Sequence, residues 1–118
     1  MTEDKTNSPD ELLDLVDEND NVIGTVLKSE AHHNPKLNHR EIAILLHDHE
    51  NRLLLQQRSW LKKVHPGQWV ETCAGHIAKG EPPLTAAHRE LTEELGFDIP
   101  LTFVRKYLVH DTNETHFS

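Results

Sequence analysis

The 118-residue sequence has one cysteine, Cys73, which rules out an internal disulfide and a multi-cysteine zinc site and fits a reducing compartment. Long apolar runs are also missing. The longest, Ile42 to Leu46, is far short of the ~18 residues of a membrane span, and Met1-Thr2-Glu3-Asp4-Lys5 lacks the basic-then-apolar plan of a signal peptide. These absences predict a cytoplasmic protein with no membrane partner. Basic residues are few: 12 Lys and Arg stand against 20 Asp and Glu, a formal charge of −8. Duplex nucleic acid is excluded as a partner on that ground, because such affinity comes mostly from Lys and Arg neutralising phosphates. The rest is ordinary for one globular domain, 36% hydrophobic and 27% charged, except that histidine occurs ten times.

Residues 1–10 are polar and carry Pro9, which predicts a flexible N-terminal segment ahead of a single domain over residues 11–118. Leu12–Val16 and Val22–Leu27 flank Glu18-Asn19-Asp20-Asn21 and predict a hairpin closed by an Asn/Asp turn. Glu41–Leu46 and Arg52–Gln57, either side of His47-Asp48-His49-Glu50-Asn51, predict a second one. Arg58 to Gly67 reads as a basic loop, followed by a short strand near Trp69–Thr72, a loop through Gly75 and Gly80, and a late strand over Leu101–Val109. Between these, Pro83–Leu95 has helical periodicity, with Pro82-Pro83 at its start and Gly96 just past its end. Leu84, Ala87, Leu91 and Leu95 share one arc of its wheel and form the expected buried stripe. Strands alternating with one strong helix predict an α/β (α+β) fold with a mixed sheet.

On the same wheel Glu90, Glu93 and Glu94 share an arc away from the apolar stripe. A solvated face is the plain reading of such charges. Against it, Glu93 and Glu94 lie in the last helical turn, where the dipole disfavours anions, and Glu90 and Glu94 are like charges at i,i+4. A divalent cation would compensate, and hard oxygen donors without cysteine suit Mg²⁺ or Mn²⁺ better than zinc.

The whole segment reads Gly75-x5-Glu81-x7-Arg89-Glu90-Leu91-x-Glu93-Glu94-x-Gly96-Phe97. Seven fixed identities arise by chance at roughly 10⁻⁸ per starting position. The sequence resembles the Nudix hydrolase superfamily, whose members cleave a nucleoside diphosphate linked to another moiety with divalent metal. That resemblance implies a mixed β-sheet sandwiched by helices and a small-molecule diphosphate substrate, and it leaves a homodimer open. It also implies Glu90, Glu93 and Glu94 as metal-binding carboxylates, with Glu90 able to contribute to base catalysis. By the same resemblance Glu81 and Arg89 brace the helix, and the backbone carbonyl of Ala74 is a further metal ligand. Metal-bound water is acidic enough to attack phosphorus near neutral pH.

A second layer of resemblance covers about residues 12 to 97. His32, His39 and His76 match in spacing the metal-site histidines of the type I isopentenyl-diphosphate isomerases, which share the Nudix fold, and imply an alternative metal site. Lys28, Arg58 and Lys62 fall where that family holds its substrate's diphosphate. Those isomerases carry cysteine immediately before the Gly-His pair; here that position is Ala74, and Cys73 lies one residue earlier. A one-residue shift in a strand turns a side chain to the other face. The isomerases' helix is degenerate and this one is complete. The reading is therefore a Nudix hydrolase of isomerase-like type, against the alternatives of an isopentenyl-diphosphate delta-isomerase or a catalytically weak nucleotide-binding module.

His47, His49, His65, His88 and His110 read as structural or solvated, His33 and His116 have no assignment, and Trp60 and Trp69 line either a pocket or the core rim. The Nudix resemblance implies further strands and a helix beyond Ser118, hence a domain truncated at its C-terminus. Glu114 is the one carboxylate placed to serve for those such a region supplies.

Overall fold

A computed structural model describes residues 10–62, 65–111 and 114–118. The predicted flexible segment lies outside these residues up to position 9; Asp10 is tied down, its carboxylate accepting from the Ser29 N–H and hydroxyl at 3.1 and 2.5 Å. Among the described residues no helix is long and apolar enough to cross a membrane.

The first hairpin forms as expected, β1 (Leu12–Val16) antiparallel to β2 (Val22–Leu27), with a register shift at Leu15/Val16. Its turn is closed by the Asp17 carboxylate, which accepts from the N–H groups of Asn19 and Asn21, while Asp20 takes a left-handed φ of 65°. A single helical turn, α1 (Lys28–Ala31), follows and buries Ala31 against Leu13 and Val26.

The second pair departs from expectation. Strand β3 (Asn38–Ile44) is longer and starts earlier, and only the short β4 (Leu46–His47) and β5 (Leu53–Leu54) pair across the Asp48 turn. β6 (Gln56–Gln57) pairs with β7 (Trp69–Val70), and the predicted loop at Gly75 is instead strand β8 (Cys73–His76). Of the predicted late strand only β9 (Leu108–His110) forms; Phe103 and Val104 are exposed. β10 (Thr115–Phe117) completes a four-stranded sheet in the order β8-β3-β10-β9. The sheet is mixed, since β10 runs parallel to β3 and its other pairings are antiparallel. The fold is α+β.

Helix α2 spans Pro83–Leu95 and ends on Gly96 at φ 80°, the left-handed cap that glycine adopts without steric cost. Its buried face is rotated from the predicted one. Leu84 is 57% exposed, whereas Ala86, Leu91 and Glu90 are buried. Leu91 packs on Ile44 and Cys73, with Ala87, Leu95 and Leu101 around them. Successive residues of a strand face opposite ways, so β3 and β8 present two chemically different faces. Ile42 and Ile44 with Cys73 and Gly75 face α2; His39, Glu41 and Ala43 with Ala74 and His76 face the other side.

Candidate active site

The α2 side of the sheet is organised by Arg89. Its Nε and Nη2 donate to both Glu81 oxygens at 2.9 Å, Nη1 to Glu90 Oε1 at 2.8 Å, and Nη2 also to the His76 carbonyl at 3.0 Å. Glu81 in turn caps the Ala78 N–H at 3.1 Å. Hydrogen bonds to Arg89 hold the Glu81 carboxyl below its ordinary range, and the same fork, Glu81 first, raises the Arg89 guanidinium further. Glu90 reaches under β8 because residue 75 has no Cβ: one built there would lie 2.2 Å from Glu90 Cδ. Glu93 sits 3.5 Å from Arg89 Nη1, and Glu94 Oε2 accepts from Gln56 Nε2 at 3.1 Å. These carboxylates therefore line one helix but differ in setting: Glu90 is nearly enclosed, whereas the Glu93 side chain is 53% exposed.

The opposite face gathers His32, His39, Glu41, His76, Glu114 and His116. His39 comes from β3 and is fully buried; His116 is its register partner on β10, and Glu41 pairs with His76 across β8. His32, just after α1, turns its Nε2 onto that of His76. Glu41 Oε2 lies 2.9 Å from His39 Nε2, 3.4 Å from His116 Nδ1 and 3.7 Å from His76 Nε2. Glu114 Oε1 lies 3.0 Å from His116 Nδ1 and 3.8 Å from His39 Nε2. Around an ion bonded at about 2.1 Å, neighbouring donors stand about 3 Å apart and opposite ones about 4.2 Å apart, so these spacings suit a transition-metal ion. The buried His116 Nδ1, which faces the cluster without a hydrogen-bond partner, fits the same use. Among the described residues, the metal-capable groups of three or more such side chains are His32-His39-Glu41-His76 and His39-Glu41-Glu114-His116, and neither includes a helix carboxylate. The histidine side chains, expected from the sequence only as an alternative metal site, are thus the ones whose donor atoms converge.

Sequence reasoning missed Glu41 and left His116 unassigned. The signal for Glu41 was its position two residues after His39 in a strand, hence on the same face. None existed for His116, which arrives by parallel pairing. Lys28 stands at the edge of the cluster, 3.9 Å from Glu11, with its charge felt by His32 and His76. Arg58 and Lys62 lie in the β6–β7 loop, where Arg58 donates its backbone N–H to the Gln68 carbonyl at 2.8 Å and Lys62 is exposed; Lys63 is outside the described residues. Trp60 and Trp69 are exposed rather than core. His33 bonds the Ser29 carbonyl at 2.7 Å, and His88 pairs with Asp98 at 2.5 Å.

Burial pushes His76 down to about 3 and lowers His32, so both rings are neutral at pH 7. His116 goes the other way: burial opposes its charge, but Glu114 and Glu41 raise it. Contact with His116 holds Glu114 down at about 2. The signs give a pH prediction for the protein stripped of metal. Between about pH 6.5 and pH 3 the unfolded chain takes up protons that His76 refuses when folded, and below about 4.5 Glu114 adds to the loss. His116 opposes this only as pH rises past its ordinary range. Stability should therefore fall on acidification from pH 7 towards pH 4, by up to about 1.4 kcal/mol per pH unit for each withheld proton, and His76→Gln should flatten the dependence in a denaturant-melt series.

An isopentenyl-diphosphate Delta-isomerase of Streptomyces avermitilis is 51% identical over 85 residues, 72% of this chain and 43% of the relative. Isopentenyl-diphosphate Delta-isomerase 2 of Photorhabdus laumondii is 44% identical over 101 residues, 86% of this chain and 56% of the relative. The chain thus spans about half the length of the curated relatives it matches. A crystal structure of DR0079 from Deinococcus radiodurans superposes with a TM-score of 0.69 at 26% identity, covering 91% of this chain and 68% of that one. The NUDIX domain profile matches residues 37–117, which include β3, β8, α2, the Arg89 fork and five of the six clustered metal-capable side chains, and the chain belongs to the NUDIX domain family.

Proposed function

We propose that the chain carries the catalytic core of a divalent-metal-dependent hydrolase of a diphosphate linkage. The observation that carries this reading is the placement of residue 73. Cys73 is 1% exposed, packed against Ile44 and Leu91 on the α2 side of the sheet, and its thiol is pushed up to about 12 by burial and by Glu94, Glu90 and Glu71. Facing the histidine cluster from the same strand is Ala74, which has no proton to give or take. A cysteine-based proton transfer to a carbon substrate therefore has no residue to perform it, whereas hydrolysis needs ligands, charge and water.

Two residue sets would hold metal: His32, His39 and His76 with Glu41 and Glu114 on one face, and Glu90, Glu93 and Glu94 with the Ala74 carbonyl on the other. Bound there, a divalent ion would neutralise diphosphate charge and acidify water. The chain's own contribution is positional. Arg89 and Glu81 are positioning residues that fix Glu90 and, through the His76 carbonyl, the end of β8. Lys28, Arg58 and Lys62 are proposed to bind the diphosphate, the guanidinium being suited to bidentate contact. A second function, isomerisation of isopentenyl diphosphate, is supported by the names of relatives 44% and 51% identical, both isopentenyl-diphosphate Delta-isomerases.

A panel of nucleoside diphosphate derivatives and prenyl diphosphates, followed for phosphate release with Mg²⁺ or Mn²⁺ and for isoprene double-bond migration, separates the readings. Phosphate release without migration, unchanged in Cys73→Ala, is the expected result. Migration that is lost in Cys73→Ala would put the isomerase reading first.

A further inference from the structure

Gln56 joins two elements that carry proposed site residues. It lies on β6, two residues before Arg58, and its side chain reaches across to the last turn of α2. Its Nε2 donates to the Thr72 carbonyl at 2.5 Å and to Glu94 Oε2 at 3.1 Å. These partners fix the orientation of the amide, since both are acceptors and only its NH₂ end has an N–H for each. The anchored end is held firmly. Thr72 is fully buried, and its hydroxyl accepts from the Leu46 N–H at 2.8 Å and donates to the Leu54 carbonyl at 2.5 Å, which ties β4 and β5 to the residue ahead of β8. Gln57, next on β6, donates to the Gly67 carbonyl at 2.9 Å and so closes the loop that holds Arg58 and Lys62.

The three helix carboxylates are held in different ways. Glu90 and Glu93 lie 2.8 and 3.5 Å from the Arg89 guanidinium, whereas among the described residues Glu94 forms no ion pair and has the Gln56 amide as its partner. A cation in that place would compete with a metal ion for the carboxylate. A neutral amide orients it and leaves its charge in place. Resting on the reading of Glu94 as a metal ligand, we propose that Gln56 is a positioning residue for the cation site on α2: anchored on the Thr72 carbonyl, it holds one Glu94 oxygen and leaves the other for a hard divalent ion. Thr72 stands two residues before Ala74, whose carbonyl belongs to the same proposed ligand set, so the anchor and the site share one short stretch of chain. Removing a hydrogen-bond partner from behind a metal ligand costs about 10- to 100-fold in metal affinity.

The test uses Gln56→Met, which keeps the length of the side chain and lacks its donor, alone and together with Glu94→Gln in the full chain. Mg²⁺ is the probe, because hard oxygen donors select it over imidazole, and its affinity is read from the rise of Tm with Mg²⁺ concentration, a readout that needs no turnover. Gln56 is exposed, so the metal-free Tm of Gln56→Met should stay within a few degrees of wild type. Its Mg²⁺ affinity should fall at least about tenfold. Glu94→Gln should weaken Mg²⁺ at least as much, and adding Gln56→Met to it should cost nothing further, because the amide acts through that carboxylate. Wild-type Mg²⁺ affinity in Gln56→Met, or an undiminished loss when it is added to Glu94→Gln, overturns the positioning role and leaves the α2 site standing. No Mg²⁺-dependent rise in the wild-type chain, or a rise untouched by Glu94→Gln, overturns the ligand assignment and the positioning role together.

Discussion

Arg89→Ala should be the most damaging single substitution on the α2 side, lowering stability by about 3 kcal/mol and Tm by about 10 °C while abolishing turnover. The Glu90 side chain is 5% exposed and Glu81 14%; removing their common partner leaves two carboxylates facing each other in a dry setting, and the His76 carbonyl loses a donor. Arg89→Lys restores the charge but not the fork, because one ammonium cannot satisfy both Glu81 oxygens, Glu90 and a carbonyl in their fixed directions. It should regain most of the melting temperature and little of the kcat. Thermal melts alongside steady-state kinetics check this, and a lysine variant with wild-type kcat would show that charge alone, without geometry, is what Arg89 supplies.

The second large effect is expected at Gly75. An alanine there places its Cβ 2.2 Å from Glu90 Cδ and 2.4 Å from Oε1, far inside contact distance. Glu90 cannot simply swing aside, since Arg89 holds it and the helix buries it. Either the carboxylate leaves the space under β8 or the strand lifts from α2. Overpacking of this kind costs about 1–3 kcal/mol, and a shift of about 1 Å in a positioned group costs about 10² in rate. Gly75→Ala should thus fold, melt several degrees lower and lose at least about 10²-fold in kcat/KM. In Gly75→Ala with Glu90→Ala the melting temperature should recover and the activity should not. Activity near wild type in Gly75→Ala would mean that the place of Glu90 is immaterial.

The helix boundaries were legible because their signals are local: proline at the first turn and glycine at a left-handed cap act through their own backbone. Its buried face was not, since Glu90 is drawn inward by a fork from Arg89 and by a missing Cβ on a strand fifteen residues away in sequence. Apolar content at 101–109 suggested a strand, but Phe103 and Val104 remain exposed and only Leu108–His110 finds a partner. The three histidines His32, His39 and His76 could be gathered by spacing. Their companions Glu41 and His116 depend on which strand lies beside β3, a fact held in tertiary pairing. The basic loop was read from composition and resemblance, and neither ranks Arg58 against Lys62.

Pairing β3 with β10 in parallel has a kinetic consequence. His39 and His116 are register partners although 77 residues separate them, so their strands meet only after a long loop has closed. The hairpin β1–β2 and helix α2 use nearby residues and should form early; the β3–β10 seam should form last, and it is where the two ends of the cluster are joined. Ions that bridge this seam would act mainly after the rate-limiting step, slowing unfolding far more than they speed folding. The protein's lifetime in the folded state would then be set by metal availability, with chelation shortening it at unchanged refolding rate.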